Sequence, residues 1–123
     1  MDNPQAVLEA IDLDRAELIR LATEYDKNRR ELGLLEYEYE ESMAKATVNY
    51  EVNYRERFGE KTRLPGEDIR KAYAHSTVSK SWAKYLSGKA TVESLEKLIR
   101  IRQSHMSSLQ SELSYMTEEL RRS

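Results

Sequence analysis

The chain has 123 residues, of which 39% are hydrophobic and 34% charged, and its formal net charge is −2 at pH 7. The absence of cysteine excludes a disulfide framework and thiolate chemistry. The sequence has neither an apolar run near 18 residues nor a basic-then-apolar N-terminal segment, which argues against a transmembrane span and a secretory signal. We therefore expect one cytoplasmic domain over residues 1–123.

The first predicted helix occupies most of the N-terminal half. Asn3 followed by Pro4 is typical of an N-cap with proline at the first helical position, where the missing N–H costs nothing. The isolated Gly33 costs roughly 1 kcal/mol against alanine but does not end a helix. Phe58 followed by Gly59 does end one. These signals predict a helix over residues 4–58.

A loop and a second helix follow. Residues 59–66 read Gly-Glu-Lys-Thr-Arg-Leu-Pro-Gly and contain the only internal proline. Glu67 and Asp68 bring negative charge to the positive end of a new helix. The sequence therefore predicts a loop over 59–66 and a second helix over 67–121.

Both predicted helices carry apolar residues at heptad spacing, which is typical of a coiled coil. In an antiparallel pair, the numbers of facing residues must add to a constant. Ile11 with Leu113 and Tyr39 with Tyr85 both give 124, and half of 124 falls inside the predicted loop. The predicted fold is therefore all-α, a long antiparallel two-helix coiled-coil hairpin. The first seam comprises Ile11, Leu18, Tyr25, Leu32, Tyr39 and Ala46 opposite Val78, Tyr85, Val92, Ile99, Met106, Leu113 and Leu120.

A second stripe lies beside the first seam and comprises Val7, Leu21 and Leu35 on the first helix and Leu95, Leu109 and Met116 on the second. Polar residues interrupt it. They are Asp14, Asn28 and Arg102. Polar residues at such positions usually fix register and oligomeric state at a cost in stability. We assign these three residues a register-setting role rather than a ligand role.

Further apolar residues lie off the predicted seam. Left exposed, they favour association. Hairpins that assemble into a four-helix or larger homo-oligomer would cover them, and the alternative is that they only widen the intramolecular seam. They include Leu8, Leu13, Ile19, Leu34 and Tyr37 on the first helix and Trp82, Leu86, Leu98, Ile101 and Tyr115 on the second.

Candidates for chemistry are few. His75 and His105 lie thirty residues apart on one predicted helix, and neither belongs to a Glu-x-x-His pair of the kind found in helical metal sites. The glycines of the loop lack the spacing of a phosphate-binding loop. We therefore expect no catalytic residues, no cofactor and no metal, and we interpret both histidines as structural.

Positive charge is concentrated in the middle of the chain. Residues 55–90 hold nine basic and four acidic side chains, and no Asp or Glu occurs from Ile69 to Val92. Cations interleaved with aromatic rings favour contact with phosphates and unpaired bases. The candidate nucleic-acid contacts near the predicted turn are Arg55, Arg57, Lys61, Arg63, Arg70 and Lys71. The alternative is a solvated tip.

The predicted register also offers a structural role for the remaining lysines. It brings Lys80, Lys84 and Lys89 alongside the acidic run from Glu36 to Glu41, so these lysines would form interhelical ion pairs. Small residues crowd the same half of the second helix and allow another chain to approach closely. The candidate surface for an unidentified protein partner comprises Tyr73, Trp82, Tyr85 and Leu86.

Several short motifs carry a resemblance over residues 35–122. They are a Tyr-rich first helix, the Gly-Glu-Lys-Thr loop, Asp-Ile-Arg-Lys-Ala-Tyr at 68–73, Trp-Ala-Lys-Tyr at 82–85 and Leu-Glu-Lys-Leu-Ile-Arg at 95–100. The chain resembles small helical-hairpin proteins of tailed phages and prophages. The resemblance implies a helical hairpin in the host cytoplasm and an accessory role in DNA metabolism, beside recombination functions.

Two functional hypotheses follow. The first is a non-enzymatic coiled-coil interaction or scaffold protein that binds a protein partner. The second is an accessory factor, associated with nucleic acid or recombination, that uses the basic, aromatic tip.

Overall fold

The computed structural model describes residues 3–123, and every regular element in that range is an α-helix. Helix α1 spans Pro4–Phe58, α2 spans Glu67–Thr77 and α3 spans Ser79–Arg122. The predicted all-α class is confirmed, but residues 3–123 form three helices where the sequence predicts two. None of these helices contains an 18-residue window apolar enough to cross a membrane.

Local signals define both ends of α1. Asn3 Oδ1 accepts a 2.8 Å hydrogen bond from the N–H of Ala6, which satisfies one of the free donors of the first turn. At the other end, Gly59 has a φ of 102°, in the left-handed region that glycine enters without steric cost. Its N–H donates to the carbonyl of Arg55 at 2.7 Å. The chain therefore leaves α1 immediately after Phe58.

The helix predicted over 67–121 is interrupted at Val78. This residue has φ −103° and ψ 26°, outside the helical range, although its N–H still donates to the Ala74 carbonyl at 3.1 Å. The preceding Thr77 hydroxyl donates to the carbonyl of Tyr73 at 3.0 Å. Threonine back-bonding of this kind bends helices, and β-branched side chains such as Val78 lose rotamer freedom inside them. The break is local, because the Trp82 N–H bonds to the Val78 carbonyl at 3.1 Å and α3 continues.

The described residues divide into two compact units. The first unit contains the start of α1, up to Asn28, and Thr91–Ser123 of α3. Its core is formed by Val7, Ile11 and Leu109, which are at most 5% exposed, with four partly buried apolar residues packed against them, namely Ala10, Met106, Leu113 and Met116. Farther along α1, Tyr25 Oη donates to Glu96 Oε1 at 3.2 Å. Because the α1 numbers rise as the α3 numbers fall, the two segments of this unit are antiparallel.

The second unit, Arg29–Ala90, contains the rest of α1, all of α2 and the start of α3. Ala46 and Ala74 are buried in it. Gly88 allows α3 to approach α1 closely, since a Cβ at this position would lie 2.9 Å from Leu35 Cδ1 and 3.4 Å from Leu32 Cδ1.

Burial separates the predicted seam from the other apolar residues. Every apolar residue of the seam is buried or half-buried except Leu120, which is 65% exposed near the end of α3. Of the ten apolar residues that the pattern places off the seam, only Trp82 is half-buried. The other nine are exposed, as Leu13 at 73% illustrates. These nine residues therefore do not widen the intramolecular seam.

Candidate functional site

A cluster of four rings joins all three helices within the second unit. Trp82 lies 5.0 Å, between ring centroids, from both Tyr39 of α1 and His75 of α2. Tyr85 of α3 stacks on Tyr39 at 6.2 Å with an interplanar angle of 15°. All four side chains are half-buried. We call these residues, Tyr39, His75, Trp82 and Tyr85, the Trp82 cluster.

A second group of rings lies nearer the loop. Tyr50 lies 4.7 Å from Tyr73, and Tyr54 lies 4.6 Å from Phe58, again between centroids. Tyr73 and Phe58 are 52% and 53% exposed. We call these four residues the Tyr73 cluster. The spacing of four residues between Tyr50, Tyr54 and Phe58 places all three on one face of α1 and is the sequence signal for it.

The structure divides the predicted partner surface between the two clusters. Trp82 and Tyr85 belong to the first, whereas Tyr73 belongs to the second. Leu86, 44% exposed, lies four residues after Trp82 on the same face of α3. The predicted register pairs Tyr39 with Tyr85, and the two rings are in contact. The contribution of His75 was missed, because only packing brings α2 against these residues.

Two of the six predicted nucleic-acid contacts are engaged by carboxylates. Arg70 Nη1 lies 2.6 Å from Glu51 Oε1, and both side chains are half-buried. The Arg70 Nε is buried without a hydrogen-bond partner in the part of the chain that the structure describes. Lys71 Nζ lies 2.9 Å from Glu67 Oε1. The hydrogen bond from Lys71 lowers the pKa of Glu67 and, reciprocally, raises the pKa of Lys71.

The other cations of the tip remain available. The Arg57 guanidinium lies 5.3 Å from the ring centroid of Phe58, within cation–π range. Arg55, Lys61 and Arg63 are exposed and form no ion pair with any residue from 3 to 123. The basic surface of the tip is therefore smaller than the sequence predicts.

Three further lysines were expected to form ion pairs between helices, but no such pair occurs within residues 3–123. Lys80, Lys84 and Lys89 are exposed, and none lies within ion-pair distance of the acidic run. Glu41 instead pairs with Lys45, one turn along α1, at 3.0 Å. The α3 lysines face solvent because a long side chain gains little from an exposed ion pair.

In the first unit, a buried carboxylate binds an arginine and a histidine side chain. Asp14 is 2% exposed and accepts hydrogen bonds from Arg102 Nη1 at 3.0 Å and from His105 Nδ1 at 2.5 Å. An ionised carboxylate only accepts, so His105 Nδ1 carries the proton in this contact. Burial by itself raises the pKa of Asp14, but the hydrogen bonds from His105 and Arg102, with their charges, lower it overall.

The predicted register-setting residues have different surroundings. Asp14 and Arg102 contact each other across the two helices, and His105 completes the group that the sequence analysis missed. Asn28 Nδ2 donates to the Glu24 carbonyl at 2.8 Å, within α1, so this hydrogen bond does not reach α3. Of the three predicted register-setting residues, Asp14 and Arg102 therefore make a contact between helices, and Asn28 has no such hydrogen bond within the described chain.

No site for metal chemistry is evident in residues 3–123, where no three His, Asp or Glu side chains come together in a suitable group. His75 packs among aromatic rings, and His105 is bonded to Asp14. No protein-family model, curated protein or solved structure matches the sequence. Functional inference therefore rests on the surfaces described above.

Proposed function

We propose that the protein is a non-enzymatic coiled-coil interaction protein, folded as an antiparallel hairpin, that binds a protein partner through the Trp82 cluster and the adjacent Leu86. The observation that carries this proposal is the packing of Trp82 against rings from α1 and α2, which leaves a partly exposed aromatic surface in a set orientation. Trp and Tyr dominate binding hot spots because they bring large contact areas at low entropic cost.

The charge around this surface indicates the kind of partner. Lys89 is exposed two helical turns after Trp82 on the same side of α3, whereas Lys80 and Lys84 are exposed on the opposite side. No acidic residue occurs between Ile69 and Val92. Positive charge beside an apolar surface increases the rate of association with oppositely charged surfaces. We therefore propose an acidic protein segment as the ligand of the Trp82 cluster.

Contacts within each unit support the hairpin. In the first unit, Asp14 contacts Arg102 and Tyr25 contacts Glu96. In the second, Tyr39 stacks on Tyr85. These pairs follow the descending order along α3 that an antiparallel hairpin requires. The nine exposed apolar residues off the seam support the further proposal that hairpins form a homo-oligomer.

Partner capture with matched variants tests this function. Photo-crosslinking of the full chain in a native extract should capture an acidic partner that is lost from Trp82→Ala and from Leu86→Asp. Ile101→Asp is the control, because Ile101 is 66% exposed on α3 and lies outside the cluster. Circular dichroism must show that the variants remain helical. An identical set of captured proteins from wild type and both cluster variants would refute the assignment.

The second candidate function is nucleic-acid binding by an accessory factor associated with recombination, as the resemblance to phage proteins implies. The observation that favours it is the exposure of Arg55, Lys61 and Arg63 without carboxylate partners. Fluorescence anisotropy with single-stranded and duplex oligonucleotides at two salt concentrations tests this candidate. Lys61→Glu with Arg63→Glu should abolish salt-sensitive binding. Absence of such binding in the wild type would end this alternative.

A further inference from the structure

Within the second unit, α1 has apolar residues on two sides. One side faces its own unit, where Leu32 and Ala46 are 7% and 8% exposed. Four apolar residues elsewhere on the same helix segment are open to solvent, namely Leu34, Tyr37, Val48 and Val52, at 66%, 64%, 57% and 48% exposure. A helix with two apolar sides buries only one of them in a single pair of helices.

The four exposed residues form one stripe. Leu34 and Val52 are 18 residues apart, which is five helical turns, so they point in the same direction. Viewed along the helix axis, Tyr37 and Val48 point within about 60° of the direction of Leu34. Leu32 points roughly 160° away from that direction. Ala44, which is also exposed, lies between Tyr37 and Val48 in the sequence. We call Leu34, Tyr37, Ala44, Val48 and Val52 the outer stripe.

One ion pair lies along the outer stripe. Lys45 Nζ is 3.0 Å from Glu41 Oε1, and the side chains are 73% and 47% exposed. The midpoint of this pair in the sequence is residue 43, which is also the midpoint of Leu34 and Val52. Leu34 with Val52, and Glu41 with Lys45, are therefore placed symmetrically about residue 43.

From this symmetry we infer that a second copy of the chain docks on the outer stripe, antiparallel to the first, about a two-fold axis near residue 43. Leu34 of each copy then faces Val52 of the other, and Glu41 of each faces Lys45 of the other. A two-fold interface requires such reciprocity, because every contact occurs twice. A parallel alignment in register would instead oppose Glu41 to Glu41 and Lys45 to Lys45, which is repulsive. This inference rests on the homo-oligomer of the proposed function and specifies its interface.

Charge reversal provides the sharpest test. Glu41→Lys or Lys45→Glu alone places like charges opposite each other at two symmetric positions, whereas Glu41→Lys combined with Lys45→Glu restores attraction. Sedimentation equilibrium at low salt should show the dimer dissociation constant raised about tenfold in each single variant and restored in the double variant. High salt should reduce the difference.

A matched control separates the interface from the helix. Lys71→Glu reverses the charge of a partner in an equivalent exposed pair, Lys71 with Glu67 at 2.9 Å on α2, and should leave the dimer dissociation constant unchanged. Val48→Glu places charge within the outer stripe and should weaken the dimer by at least tenfold. Ala16→Glu, at an exposed residue on α1 outside both the stripe and the nine off-seam apolar residues, should not.

The outcomes distinguish this interface from the wider function. A dimer that is indifferent to the Glu41, Lys45 and Val48 variants overturns the outer stripe as the interface but leaves the homo-oligomer intact. A wild-type chain that stays monomeric overturns both the interface and the homo-oligomer. Neither result bears on the protein partner, which the Trp82 and Leu86 variants test separately.

Discussion

Asp14 Oδ1 on α1 accepts a 3.0 Å hydrogen bond from Arg102 Nη1 on α3, a residue 88 positions away in the chain. The carboxylate is buried, while the side chains of Arg102 and His105 are 42% and 52% exposed. The Arg102 guanidinium and the His105 ring therefore reach inward from the surface to a charge that lies beside the apolar core. Sliding α3 by one residue along α1 would leave that charge buried without its partners, which is strongly unfavourable.

Stability should fall in acid through Asp14. Its pKa is below the ordinary value of 3.8 in the folded chain. A carboxyl group whose pKa is lower in the folded chain than in the unfolded chain stabilises the fold when it is ionised. This contribution is fully present above pH 3.8 and is lost as the pH falls through the pKa of the folded state. Urea unfolding of Asp14→Asn should therefore show a smaller loss of stability between pH 5 and strongly acidic solution than wild type. Asp12→Asn, at a side chain 75% exposed, should keep the wild-type profile; matching profiles for Asp14→Asn and wild type would contradict the role of Asp14.

Truncating the core of the first unit should cost considerably more than truncating a surface leucine. Leu109 is 5% exposed and packs with Val7 and Ile11. Leu109→Ala should lower the free energy of unfolding by roughly 2–3 kcal/mol, through lost burial and the cavity left behind. Leu98→Ala, at a residue 49% exposed, should cost less than about 1 kcal/mol. Chemical denaturation measures both, and equal losses would mean that Leu109 lies outside the core.

Two helical glycines should respond differently to alanine. Nothing lies within 4 Å of a Cβ added at Gly33, so Gly33→Ala should stabilise the chain by roughly 0.5–1 kcal/mol through helix propensity. At Gly88 the added Cβ would lie 2.9 Å from Leu35 Cδ1, and moving that leucine offsets the same gain. Thermal unfolding should therefore show a higher Tm for Gly33→Ala than for Gly88→Ala. Equal Tm values would indicate that α1 and α3 are not in close contact at Gly88.

The two glycines of the loop provide another matched pair. Gly59 has a φ of 102°, so Gly59→Ala forces an L-residue into the left-handed region at a cost of roughly 1–2 kcal/mol. Gly66 has a φ of −56°, and nothing lies within 4 Å of an added Cβ, so Gly66→Ala should be nearly neutral. Denaturant midpoints of the two variants compare them directly. A neutral Gly59→Ala would show that the end of α1 does not depend on this backbone conformation.

The sequence alone determined the helical class, the ends of α1 and the division between seam and surface. These features depend on local signals: the cap at Asn3, the glycine after Phe58 and the period of the apolar residues. Each acts within a few residues of its own position, so it can be recognised without knowledge of what packs against it. The burial of Ile11 and Leu109 follows from that period.

Only the tertiary structure decided where charged side chains and the two histidines find their partners. His105 joins Asp14, Arg70 binds Glu51, and Lys84 faces solvent despite an acidic run on the predicted opposite helix. The interruption at Val78 likewise does not follow from the heptad pattern, which continues through that residue. The physical reason is that an ion pair or a ring contact depends on distances of a few ångströms between helices, whereas sequence periodicity determines only which side of a helix a residue occupies.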